Sequence, residues 1–300
     1  MSNQREHQFF ILLLFPPMFF LFVAATPPPG YAPIPELSDE FDLPELDLSK
    51  WSTSRTVIGW DGRPPALFDA SNVMVQNGTL QLWARPARRS ASWPSGFDNY
   101  TTAAVHSLAR VREGYFEVRW RSGSSGISSS WWFHQNMGDT WTEIDVFETT
   151  GATNGQAKPG NLPSHVHIFD LPNTSSVTLP SRCNCKLNPG ERCARGDPLG
   201  WPAHQVVDQP PCSAGSMYTL PENNSFASDF HVASLNWTSA GVTVALDGQV
   251  VNTIATRCLV QEIGMDFDRE TMPGWMALPD PASLPDQPFE IDYVRAWKRL

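Results

Sequence analysis

Between Trp141 and Glu148 the chain reads Trp-Thr-Glu-Ile-Asp-Val-Phe-Glu, with three carboxylates interleaved among Ile144, Val146 and Phe147. Successive side chains of a strand point to opposite faces, so Glu143 and Asp145 share one face while Ile144 and Val146 share the other. Glu148 then falls on the apolar face, unless one extra residue is inserted before it. A β-bulge near Val146-Phe147 supplies that residue and returns Glu148 to the acidic face. The apolar partners make this a core strand rather than a solvated edge. The segment therefore requires a sheet with one face buried against a second layer and the other face open.

The rest of the chain supports such a sheet. Leu80, Leu82 and Ala84 alternate with Thr79, Gln81 and Trp83 after the Asn77-Gly78 turn, and Phe116, Val118 and Trp120 alternate with Tyr115, Glu117 and Arg119. Further strand runs cover residues 129–133, 143–148, 165–169, 230–237, 242–246 and 289–299, and Asp247-Gly248 reads as a hairpin turn between two apolar strands. No long stretch has a period of 3.6, and no repeat of 20–50 residues is present. Twelve Trp, 17 Phe, 27 Pro and 20 Gly, with only 17% charged residues, suit many short strands joined by turns. The expected fold is all-β, with two stacked antiparallel sheets. A sandwich of this kind can fill most of 300 residues as one domain.

Three regions stand outside that domain or interrupt it. Arg5 precedes an apolar run over residues 9–23, broken by Pro16-Pro17, and Val23 and Ala25 suit a cleavage site before Thr26. The run is shorter than the ~20 residues of a spanning helix, so residues 1–25 read as a secretory signal peptide. Residues 26–38 read as a proline-rich, extended leader, and 39–300 as the folded domain. Within it, residues 171–228 hold four of the five cysteines and little alternation, and read as a long disulfide-tied loop. Cys183, Cys185, Cys193, Cys212 and Cys258 suit disulfides in an oxidising compartment better than a zinc site, with at least one left over. Sequons begin at Asn77, Asn99, Asn173, Asn223 and Asn236, which agrees with a secreted glycoprotein. The net charge of −10 gives no general attraction for nucleic acid or an anionic membrane, and it opposes a heavily sulfated ligand unless a local basic cleft intervenes.

Three carboxylates on one strand repel one another and raise at least one pKa, which is costly for structure alone. Glycoside hydrolysis needs such a set. One carboxylate attacks or supports the anomeric carbon, another protonates the leaving oxygen, and a third can hold the proton inventory of the cluster. The spacing leaves open which Glu does which. Trp141 offers an aromatic face for the C–H face of a sugar beside the acids. Trp60 and Trp237 are further cleft candidates.

The pattern Glu143-Ile144-Asp145-Val146-Phe147-Glu148 resembles the β-bulge branch of glycoside hydrolase family 16, which includes agarases, porphyranases, carrageenases and laminarinases. The resemblance runs from about Glu40 to Trp297. It is carried also by Glu40-Phe41-Asp42 with Lys50-Trp51, Arg63-Pro64-Pro65-Ala66-Leu67-Phe68 with Asn72-Val73, Glu113-Gly-Tyr-Phe-Glu-Val118, Leu235-Asn-Trp237 and Phe289-Glu-Ile-Asp-Tyr-Val-Arg295. It implies a concanavalin A-like β-jelly-roll sandwich of two curved sheets. Glu143 is then the nucleophile, Asp145 its assisting carboxylate and Glu148 the general acid/base, with Trp141 beside the cleaved bond. His167 and Arg63 are implied as substrate-binding groups. His106 stands where the family often has Arg, and His165 where agarase-like strands have Asn, so the pocket is altered. No cofactor is required. A structural calcium on the convex face would involve Asp292, Gly78 and Glu40. The implied protein is a secreted monomeric retaining endo-hydrolase of a β-linked polysaccharide. It has no nucleic-acid partner and no membrane contact after signal cleavage. The entry strands and Met272-Pro-Gly-Trp275 favour a galactan of agar or porphyran type; a β-1,3-glucanase, a transglycosylase and a non-catalytic carbohydrate-binding protein are the alternatives.

Overall fold

The computed structural model describes residues 29–137, 140–152, 156–170, 205–206, 213–221, 224–256 and 259–300. The expected signal segment, all five cysteines with their expected bridges, and the sequons at Asn173 and Asn223 lie outside these residues. The sequon residues Asn77, Asn99 and Asn236 are all exposed.

The fold is a β-jelly-roll sandwich of two eight-stranded antiparallel sheets. The sheet that carries the acids runs Gln205–Val206, Asn161–Asp170, Thr140–Thr149, Ser129–Met137, Ile263–Asp268, Ala104–Val111, Trp51–Ser52, and Ser213–Thr219 also pairs with Asn161–Asp170. The backing sheet runs Gln249–Ala255, Gly241–Leu246, His231–Thr238, Gly114–Arg121, Phe289–Arg299, Thr79–Leu82, Val73–Gln76, and Tyr31–Pro33 is added beside Phe289–Arg299. A small third sheet joins Ala66–Phe68, Tyr100–Thr102 and Arg85–Pro86.

Alternation decides which side chains enter the core. Along Gly114–Arg121, Phe116, Val118 and Trp120 are fully buried, while Tyr115, Glu117, Arg119 and Arg121 are half-exposed. Ile144, Val146 and Phe147 come from the opposite sheet to meet them, and Trp120 stacks on Phe147 with ring centroids 3.8 Å apart. Burying aromatics of this size contributes roughly 1.5–3 kcal/mol each, which fixes the register of the acidic strand. None of the helices among the described residues is long and apolar enough to cross a membrane.

Two segments differ from the sequence reading. Residues 31–33 of the expected leader form a strand, and Leu37 is fully buried, because the edge beside Phe289–Arg299 offers unpaired backbone groups. Within the expected loop 171–228, Ser213–Thr219 is a strand with seven-residue pairing to Asn161–Asp170, and Phe226 is a core residue. Its small residues hid the alternation. Gly215 has a local reason: a Cβ there would lie 1.9 Å from the ring of His165.

Candidate active site

The bulge is present where the acidic spacing requires it. Trp131 pairs with Phe147 and Trp132 with Asp145, so Val146 has no counterpart on the neighbouring strand. Both Val146 and Phe147 enter the core, and Glu143, Asp145 and Glu148 are left together on the other face. Asp145 is buried, whereas Glu143 and Glu148 keep partial exposure.

The three groups have different surroundings. The Trp141 indole N–H donates to Glu143 Oε2. Burial, the charge of Glu143 and a hydrogen bond with it push Asp145 well above the ordinary carboxylate range, and Arg63 opposes this. Burial also pushes Glu148 well up, reinforced by Asp145 and Glu143 and opposed by Arg63 and His167. A carboxyl group raised in this way keeps its proton to higher pH, and a carboxylic acid can act as a general acid.

Histidines flank the acids. His167 pairs with Glu143 in the strand register, and its Nε2 lies 3.3 Å from Asp145 Oδ2. His165 stacks beside it with centroids 5.6 Å apart, and burial together with the charge of His167 lowers it to about 4. His165 therefore remains neutral at working pH and can accept as well as donate a hydrogen bond.

Opposite them lies a second row of acids that the sequence reading did not single out. Asp266, Asp268 and Glu270 alternate with Met265, Phe267 and Arg269, and all are buried. Trp132 donates its indole N–H to Asp268 Oδ2 at 2.8 Å. The Trp60 indole donates to Glu270 Oε1, and Arg63 Nε lies 3.2 Å from Glu270 Oε2. Burial, Glu270 and Asp266 drive Asp268 well above its usual range, and its Oδ1 has no hydrogen-bond partner among the described residues. Trp132 and His134 also went unnoticed. Both follow from period two, since Trp131 and Phe133 are core residues and the even positions must then face the acids.

The remaining expected residues divide. Trp141 is buried, with its ring stacked on His134. Trp60 and Arg63 meet at Glu270, and Arg63 is close enough to influence Asp145 and Glu148. His106 is buried, with Nδ1 2.8 Å from Asp266 Oδ1. Trp237 is corrected: at 1% exposure in the backing sheet it packs in the core, because its odd-numbered neighbours Ala233 and Leu235 share that inward face. On the far face, Asp292 pairs with Arg119 at 2.6 Å and Glu40 with Arg295 at 2.8 Å, while Gly78 occupies a turn. Arginine neutralises both carboxylates, so they do not fit the oxygen-rich shell that calcium needs. Among the described residues two groups of side chains lie close enough to share an ion, namely His106/His134/Asp266 and Asp145/His165/His167. In the first, both imidazole Nδ1 atoms are already hydrogen-bonded to Asp266.

A family profile described as "Beta-porphyranase A-D, GH16 domain" matches residues 31–186. The chain is 34% identical over 168 residues to beta-porphyranase E of Zobellia galactanivorans, covering 51% of this chain and 56% of that one. It is 26% identical over 305 residues to beta-porphyranase C of the same organism, covering 87% and 76%. The crystal structure of porphyranase B from Zobellia galactanivorans superposes with a TM-score of 0.68 at 21% identity, covering 89% of this chain and 92% of that one. The chain thus spans little more than half the length of the first of these relatives and about three quarters of the second.

Proposed function

The chain belongs to glycoside hydrolase family 16, with a domain of the porphyranase A–D type, and from that premise we propose that it is a secreted endo-acting retaining hydrolase of a β-linked galactan of the porphyran or agar type. The observation that carries the chemistry is the bulge at Val146, which sets Glu143, Asp145 and Glu148 on one face, with Asp145 and Glu148 both raised above the ordinary carboxylate range.

Glu148, held protonated, delivers its proton to the glycosidic oxygen as the bond breaks. Glu143 attacks the anomeric carbon from the other side and forms a glycosyl-enzyme. The hydrogen bond from Trp141 to Glu143 fixes the direction of attack. Asp145 holds a proton between its neighbours, and His167 limits its movement. Glu148, now a base, takes a proton from water, which releases the product with its configuration retained. No cofactor takes part. Trp60 and Trp132, each pinned through its indole N–H to a buried carboxylate, supply rigid aromatic surface for sugar rings.

The test is incubation with porphyran, agarose, laminarin and mixed-linkage glucan, with reducing ends measured. Release from porphyran or agarose at least tenfold above the glucans is the expected result. A preference for laminarin would make the protein a β-1,3-glucanase. Binding without any new reducing ends would make it a carbohydrate-binding protein.

A further inference from the structure

His134 takes no part in the mechanism above, yet it is buried beneath it. Its ring stacks against Trp132, with centroids 4.6 Å apart and planes at 21°, and against Trp141, at 5.1 Å and 25°. Its Nδ1 lies 2.7 Å from Asp266 Oδ2. Asp266 is held below its ordinary range, so its carboxylate accepts and His134 Nδ1 donates. Asp266 anchors it while also bonding His106 through its other oxygen. The site is built for this arrangement: a Cβ on Gly264 would lie 2.3 Å from His106 Cε1, so the strand has no side chain where the second ring sits.

The charge sits next to the reacting groups. His134 is opposite Glu143 in the strand register, and Trp141, which stacks on His134, donates its N–H to Glu143. We propose that His134 is a positioning residue for the nucleophile: a protonated imidazole, clamped by Asp266, that holds the Trp141 indole against Glu143. The inference rests on the reading of Glu143 as nucleophile.

The groups facing His134 from each neighbouring element agree with this assignment. They are Glu143 and Trp141 from Thr140–Thr149, Asp266 from Ile263–Asp268, the Ile58 carbonyl from Arg55–Ile58, and Trp132 on its own strand, with His106 beyond Asp266. Burial opposes the charged ring, but Asp266, Glu143 and Ile58 together outweigh it and raise His134 above its ordinary value. Asp266, which burial would push up, is held below its usual range by His134 and His106. An imidazolium against two indole faces gains a cation–π attraction as well, and the attraction stiffens the stack. A cation here offsets the repulsion that three neighbouring carboxylates impose on one another.

Two measurements on the whole protein test the proposal. Nitrogen-15 NMR of the histidine rings, with His134 assigned from His134→Gln, should find both ring nitrogens protonated at pH 8. Loss of a ring proton by pH 7 would overturn the inference. His134→Gln and Asp266→Asn should each lower kcat about tenfold or more. KM should change less than about twofold, since neither group is placed on the sugar. A folded variant with parental melting temperature and parental kcat would also overturn it. If His134→Gln does not fold, the parent spectrum and Asp266→Asn decide. A parent that cleaves no polysaccharide while His134 stays doubly protonated sinks the nucleophile reading and the positioning role with it. A hydrolytic parent with a neutral His134 sinks this inference alone.

Discussion

At the scale of single residues, the chemistry depends on neighbouring carboxylates being held in different states. Glu143→Gln preserves size and the hydrogen bond from Trp141 while removing the attacking charge. Turnover should fall by ~10³-fold or more with the melting temperature retained. Activity within tenfold of the parent in a folded variant would exclude Glu143 as nucleophile. Glu148 leads to a less obvious expectation. A carboxyl group held above its unfolded value opposes folding at every pH above that unfolded value, ~4.3, because the unfolded chain releases the proton more readily. Glu148→Gln removes this cost. It should inactivate the protein yet stabilise it by about 1 kcal/mol at pH 7, and the gain should vanish below about pH 4. Urea titrations of parent and variant at both pH values measure it.

At the scale of elements, the register of one strand makes the site. Deleting Val146 restores regular pairing with Ser129–Met137, and period two then keeps Glu148 on the face of Glu143 and Asp145, because it now follows Asp145 by two positions. The deletion should therefore leave folded protein still able to hydrolyse, while the loss of one buried apolar side chain destabilises the fold by roughly 1.5–3 kcal/mol, as specific activity and denaturant midpoints would show. Phe147→Ala separates packing from register. It keeps the bulge but empties the space against Trp120, at a cost of roughly 3–5 kcal/mol, and any protein that remains folded should still hydrolyse. Loss of specific activity in the folded fraction of Phe147→Ala would mean that packing, rather than register alone, sets the acids.

At the scale of the whole molecule, the two sheets and the segments around the open face are tied by buried charge. Arg269 is fully buried and grips Asp286 through Nη1 at 3.0 Å and Nη2 at 2.9 Å. A Cβ on Gly123 would lie 2.4 Å from this guanidinium, so the glycine is the space the arginine needs. Burial pushes Asp286 up, but Arg269 and Ser125 outweigh it and hold the group below its ordinary range. A carboxylate depressed in this way stabilises the fold above its unfolded value, ~3.9, and the stability is lost as pH falls through its folded value. Asp266 behaves the same way against its two histidines. Arg269→Met leaves Asp286 buried without its partner and should cost about 3–5 kcal/mol at pH 7. The deficit should shrink towards pH 3, where the parent loses the same contribution. Denaturant midpoints across that range test this, and a pH-independent deficit would assign the loss to packing instead.

The sequence by itself determined the sheet, the bulge and the acidic face. Each rests on a strict period of two, and Glu143, Asp145 and Glu148 can share a side in only one register once Ile144, Val146 and Phe147 are buried. Only the tertiary structure decided what surrounds them. Trp237 and Trp132 look alike in sequence, each flanked by strand residues, but one points into the sandwich and the other towards the acids, because both strands bury their odd positions and only Trp237 holds one. Asp266 and His134 are 132 positions apart, and nothing local joins them. Their contact exists because Ser129–Met137 and Ile263–Asp268 pair side by side, and pairing between distant strands is settled by the packing of the whole core.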